Sequence, residues 1–315
     1  MKKYLLLFIS LMMSLAASHT LAATCTSPVT VPGAGVSGEC TSLPDEQIIT
    51  FFKMKLCKGA PTLLNVAGSS VVFPAAGCVD VWTSPDANGT PVTLSLAGSS
   101  LGDISVPPSD YSTYTFAYVE ISNDWKVRAT KTFSAPVNGT NGAVADGNGT
   151  ICWTKPGTTT LNNLRDVTPS AAKCGDQAAR NAITPGIIVS HFNVFSGDDG
   201  NPLFNLVYIP LAAGQGIGAA ILNVNNQLID QPAGDGVADA AFNGGLGNPG
   251  LGTKIAGWMP VTMPVYGENT IFKFLFPNTN GTNVNIFGST LNNFGASDFD
   301  MQVSTCDARS PSCAP

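Results

Sequence analysis

Across 315 residues the chain carries 21 acidic against 15 basic side chains, a formal net charge of −6, and only 11% of its positions are charged. An acidic balance without any basic cluster disfavours nucleic acid and anionic membrane surfaces as partners. A hydrophobic content of 44% is enough for a packed core and excludes a disordered chain, while 33 Gly and 22 Pro among abundant Asn and Thr predict short strands joined by tight turns.

The chain opens on Lys2 and Lys3, an apolar run from Tyr4 to Ala17, and small residues at Thr20, Ala22 and Ala23. This is the three-part pattern of a cleaved signal peptide, taken as 1–23. The apolar run is too short for a membrane span, and Thr24 directly before Cys25 does not suit a lipoprotein signal. No later stretch reaches the ~20 apolar residues that a spanning helix needs. The expectation is an exported protein, secreted or held at the cell surface, with the periplasm as a further destination. The lysine-led leader reads as bacterial.

Eight cysteines follow the leader in four close pairs: Cys25 and Cys40, Cys57 and Cys78, Cys152 and Cys174, Cys306 and Cys313. In an exported chain an even count at short spacing suggests local disulfides, although spacing alone does not decide the pairing. There is no CxxC, and beyond the leader His191 is the only histidine, so neither a zinc site nor a catalytic thiol is favoured.

Residues 24–45 form a Gly/Pro-rich entry segment. From 48 to 57 the chain alternates, with Phe52, Met54 and Leu56 on one side and Lys53 and Lys55 on the other, the period of a half-buried strand. A strand is predicted at 78–82 and a turn at 84–89. A hairpin is predicted at 113–132, with Ser122-Asn123-Asp124 as its turn. Residues 61–70 resemble 91–100, a faint repeat that two similar strands would explain. Residues 136–150 are dense in Asn and Gly and read as a linker. That linker divides an N-terminal β-sandwich-like domain, 24–135, from a C-terminal β-rich domain, 151–315. The latter is predicted to hold a short helix within 171–182 and strands at 186–195, 203–211, 219–228, 254–265, 269–276 and 299–304. The expected fold is therefore all-β: antiparallel β-sandwich domains, two in number, with local disulfides and little helix.

Several patterns bear on chemistry. Gly214-Gln-Gly216-Ile-Gly218-Ala-Ala220 has the form of a dinucleotide fingerprint, with Asp235 about 20 residues on. The residues that follow are poor helix formers, so no helix N-terminus is expected to face a pyrophosphate, and a Gly-rich turn is the better reading. Asp198, Asp199, Asp235 and Asp239 lie in turn-rich segments, and calcium is the cation their oxygens would suit. None of them fits the EF-hand pattern. No other cofactor is implied.

For a glycoside hydrolase, Glu120 is the preferred acid/base among only four glutamates, against a strand-edge pairing with Lys126 or Arg128. For a serine hydrolase His191 would have to be the base, but no GxSxG elbow is present and His191 sits in an apolar run. Trp82, Trp125 and Trp258 are the candidate sugar-stacking aromatics. Asn-Gly-Thr triplets at Asn88, Asn138, Asn148 and Asn280 read as tight turns.

Taken together, the residues favour a non-enzymatic surface or extracellular structural and adhesive protein, with surface glycans or further copies of itself as partners. A carbohydrate-binding module, calcium-dependent or not, is the first alternative. A secreted Asp/Glu-dependent hydrolase is the second.

Overall fold

The computed structural model describes residues 23–63, 68–94, 101, 104–105, 114–141, 144–155, 159–162, 172–192, 206–211, 215–228, 252–263, 269–275, 280–296 and 302–311. In chain order the strands are β1 (Ala23–Thr24), β2 (Ser37–Ser42), β3 (Glu46–Cys57), β4 (Cys78–Thr83), β5 (Thr90–Leu94), β6 (Ile104–Ser105), β7 (Tyr114–Ser122), β8 (Trp125–Arg128), β9 (Thr130–Asn141) and β10 (Val144–Thr154). They continue as β11 (Thr159–Asn162), β12 (Ala172–Gly175), β13 (Ile188–Phe192), β14 (Leu206–Leu211), β15 (Gln215–Leu222) and β16 (Lys254–Met263). The last four are β17 (Thr270–Leu275), β18 (Thr282–Phe287), β19 (Thr290–Ala296) and β20 (Gln302–Asp307). Among the described residues one short helix occurs, α1 (Gln177–Asn181), whose first turn is capped by Asp176 Oδ1 accepting from the Ala179 N–H at 2.7 Å. The all-β expectation, with local disulfides and little helix, is met.

The strands form three sheets. A ten-stranded sheet runs β11-β13-β8-β3-β7-β16-β15-β14, with β4 and β5 also paired to β3. A seven-stranded sheet runs β1-β2-β18-β19-β9-β10-β12, and β20-β17-β6 form a third. Cys25–Cys40, Cys57–Cys78 and Cys152–Cys174 are disulfides, as their spacing suggested. Cys306 is also disulfide-bonded, and Cys313 lies outside the described residues.

β3 is the central strand of the larger sheet, and its alternation is real but changes phase midway. Ile49, Phe51, Met54 and Leu56 are all fully buried, whereas Phe52 is not. The register against β7 slips between Phe51 and Lys53, so Phe52 is an extra, bulged residue. The bulge turns Phe52 to the side of the lysines, where the Lys254 ammonium lies 4.7 Å from its ring centroid.

The hairpin expected at 113–132 is not formed. β7 and β8 both run antiparallel to β3, pairing in one continuous sweep from Cys57↔Phe116 to Glu46↔Arg128. Ser122-Asn123-Asp124 is a step within that path and not a reversal. Asn123 is buried, its N–H bonds to the Thr253 carbonyl at 3.0 Å, and its side-chain amide bonds to the Gly252 carbonyl at 2.9 Å. Turn-forming residues are used here to satisfy a neighbouring strand.

The reversal comes later, between β9 and β10, within the segment expected as a linker. Residues 136–141 and 144–150 are paired strands, with Asn148 opposite Asn138 and Gly149 opposite Val137. Their glycines have a packing reason: a Cβ at Gly139, Gly147 or Gly149 would collide with the backbone of Ala172 to Gly175 in β12. Both large sheets also draw strands from each side of 136–150: β2 pairs with β18, and β7 with β16. The division at 136–150 is thus crossed by strand pairing, because the Asn-Gly composition serves close backbone approach.

Alternate residues of the ten-stranded sheet feed two cores. Ala117, Val119, Ile121, Ala219, Ile221, Ile255 and Met259 belong to the larger one, which Ala296 of β19 joins. Phe116, Tyr118, Ala220, Leu222, Ala256 and Trp258 face the other way. That second face is covered by Ala60, Leu63, Val71 and Phe73, from the segment closed by Cys57–Cys78.

Candidate functional site

Among the described residues, those singled out for chemistry are mostly taken into the core. Trp258 is 1% exposed and Trp125 is 5% exposed, so neither is a ligand platform. Trp82 is half-buried against the larger core. The Gly-rich fingerprint is a strand: Gln215–Leu222 is β15, paired on one edge to β14 and on the other to β16. Gly218 lies opposite Trp258, and a Cβ there would collide with the indole. The glycine that resembled a phosphate contact makes room for a tryptophan.

Glu120 is also accounted for by packing. It is 8% exposed and accepts a hydrogen bond from the Tyr118 hydroxyl at 2.8 Å. The pairing expected with Lys126 or Arg128 does not occur; Arg128 instead bonds Glu46. Burial, followed by the charge of Glu120 and the hydrogen bond to it, raises the Tyr118 pKa far above its ordinary value. The folded state therefore holds the tyrosine proton more tightly than the unfolded chain. That contribution is complete below pH ~10, the ordinary tyrosine value, and is lost as pH rises above it. Tyr118→Phe is expected to flatten the alkaline fall in stability and to cost about 1–3 kcal/mol at neutral pH, by leaving Glu120 without its donor. Chemical denaturation across an alkaline pH series checks both.

Asp198, Asp199, Asp235 and Asp239, the calcium candidates, lie outside the described residues, as does Glu268. Among the described residues no group of three or more His, Cys, Asp or Glu is placed to hold a metal ion. His191 lies on β13, with its backbone opposite Leu161 of β11.

A different set of residues is brought together on the seven-stranded sheet. Along β18, Thr282, Val284 and Ile286 are buried, while Asn283, Asn285 and Phe287 point to the other side. Directly opposed residues share a sheet face. Register therefore places Ser37, Phe287, Thr290, Asn138 and Asn148 in one row across β2, β18, β19, β9 and β10. A second row carries Glu39 and Asn285, and a third the buried Thr41 and Gly295 with Asn283 between them. A bulge at Asn292 adds one residue to β19, which returns Phe294 to the core.

The face is polar and held by its own hydrogen bonds. Asn148 donates to Asn138 Oδ1 at 2.8 Å, and Asn283 donates to Glu39 Oε1 at 2.8 Å. Two Asn-Gly-Thr triplets read as turns thus stand side by side on strands. Asn88, by contrast, is in a true turn, where Gly89 has φ +85° and Asn88 N–H bonds to Asp86 Oδ1 at 2.8 Å. Phe287 is 48% exposed, the one aromatic among the exposed large hydrophobic side chains of the described residues.

Sequence reasoning passed over this face. The signal available was the polar–apolar alternation of Thr282–Phe287, ending on an aromatic at an outward position.

No protein-family model matches the chain, and comparison with curated proteins and with solved structures gives no match either.

Proposed function

We propose that this chain is an exported, non-enzymatic surface or extracellular structural protein that works by presenting its sheet faces to other molecules. The observation that carries this reading is the outward face of the seven-stranded sheet, where polar side chains from five strands stand in register around a half-exposed Phe287. A sheet with one face on the core is polar on its solvated face, and the departure here is an aromatic ring left half exposed among those polar side chains. The local disulfides and the leader-like first 23 residues support an oxidising destination outside the cytoplasm. Tethering of Glu120 to Tyr118 supports a structural use of the carboxyl preferred for acid/base work.

The test is expression of the full chain in a bacterial host, followed by fractionation and mass measurement. The expected result is a chain lacking residues 1–23, found outside the cytoplasm and bound to the cell envelope or to extracellular material. A full-length chain confined to the cytosol overturns the reading. So does a processed chain that remains wholly soluble and coats no surface.

A further inference from the structure

We infer that the row Ser37, Phe287, Thr290, Asn138 and Asn148 is a binding face for a neutral glycan chain, an inference that rests on the surface-protein reading above. The row crosses five strands, so it spans four strand spacings of about 4.8 Å each, roughly 19 Å. That length suits an oligosaccharide lying across the strands.

The chemistry of the row matches such a chain. A side-chain amide offers one acceptor and two donors on a fixed plane, and a hydroxyl offers both roles. Adjacent hydroxyls on a sugar ring present the same mixture. Asn138 and Asn148 already hold each other in orientation, at 2.8 Å, so little freedom is lost when a ligand arrives. Phe287 stands between Ser37 and Thr290 with about half its surface free, and an aromatic face packs against the apolar C–H side of a sugar ring.

The charge on the face selects among glycans. The three rows contain no Lys or Arg, and Glu39 is their one acidic residue. An anionic polysaccharide would find no cation to pair with and one carboxyl to repel it. The same arrangement disfavours other occupants. One exposed aromatic in a polar row gives too little apolar area for a stable protein interface or for insertion into a bilayer. Added strands pair with sheet edges, and these residues lie on a face.

The experiment is native electrophoresis of the processed chain in gels containing a soluble glucan, a soluble mannan or, as the anionic comparison, alginate. Retardation by a neutral polysaccharide and not by alginate is expected. Phe287→Ala is expected to weaken it about tenfold, and Asn148→Ala to weaken it measurably, with thermal midpoints unchanged. Val224→Ser, at an exposed position elsewhere, is expected to leave it intact. Retardation that survives both face substitutions overturns the assignment of this face. No retardation by glucan or mannan, in a protein that still coats the cell envelope, overturns the glycan while leaving the surface reading in place. Self-association abolished by Phe287→Asp, with no glycan retardation, would give the face to a second copy of the chain and overturn the proposal.

Discussion

Trp258→Ala is expected to remove about 3–5 kcal/mol of folding stability, a large fraction of the ~5–15 kcal/mol available to a domain. Trp258 is 1% exposed and sits on β16 between Tyr118 of β7 and Gly218 of β15. Its indole fills the space a side chain at position 218 would occupy. Gly218→Ala should therefore also destabilise, by about 1–3 kcal/mol, because the tryptophan must leave its rotamer or the strands must part. The two sites share one volume, so the double variant should lose less than the two single losses together. Chemical denaturation of the three variants measures this directly. A neutral Gly218→Ala would show that the indole does not lie over β15.

These residues also show how legible the sequence was. Gly214 to Ala220 carries the spacing of a nucleotide loop, and helix propensity alone argued against it. The reason for the glycines is a side chain some 40 positions away in sequence, which no local pattern reveals. The disulfides were readable because Cys57 and Cys78, or Cys152 and Cys174, close short loops between neighbouring strands. The β3 alternation was readable until the bulge at Phe52, a feature set by the partner strand. The turn at Ser122-Asn123-Asp124 and the linker at 136–150 failed for one shared reason. Asn, Asp and Gly suit tight turns, but they also serve buried amide pairing and close backbone approach. Asn123 serves Gly252, and Gly149 serves Gly175.

The candidate face was the least legible part. Its members are ordinary polar residues, and their meaning depends on strands brought together from distant positions. Asn283 bonds Glu39 across 244 residues of chain, and Thr290 meets Asn138 in a single parallel pairing. The tryptophans drew notice because large aromatics are rare. Their rarity reflects the volume they fill in the core, and the exposed ring belongs to a phenylalanine at a strand end.

Replacing Cys57 and Cys78 together by alanine is expected to cost about 2–4 kcal/mol, and its structural consequence should be confined to one face of the ten-stranded sheet. The two cysteines are directly opposed at the end of the β3–β4 pairing and close the segment 58–77. That segment supplies Ala60, Leu63, Val71 and Phe73, which cover Tyr118 and Trp258. Phe73 meets the Tyr118 ring edge-on at 5.0 Å, and the Lys55 ammonium sits 4.8 Å from the Phe73 centroid. Without the disulfide the cover is held by these contacts and by backbone hydrogen bonds, among them Gly68 N–H to the Leu228 carbonyl at 2.9 Å and Leu228 N–H to the Ser69 carbonyl at 2.7 Å, and water should reach the Tyr118–Glu120 pair more readily. Since burial is the largest cause of the raised Tyr118 pKa, its ionisation should then move down towards the ordinary tyrosine value. The alkaline fall in stability should then become smaller: it still begins near pH ~10, the ordinary tyrosine value of the unfolded chain, but ends at the lowered folded value. Replacing Cys25 and Cys40 provides the comparison: that disulfide ties β1 to β2 at the edge of the other sheet and should leave Tyr118 unchanged. Ultraviolet titration of tyrosine in both variants, alongside denaturation midpoints, separates the two staples. An unchanged Tyr118 titration after loss of Cys57–Cys78 would show that the sheet itself, and not the stapled segment, keeps the pair dry.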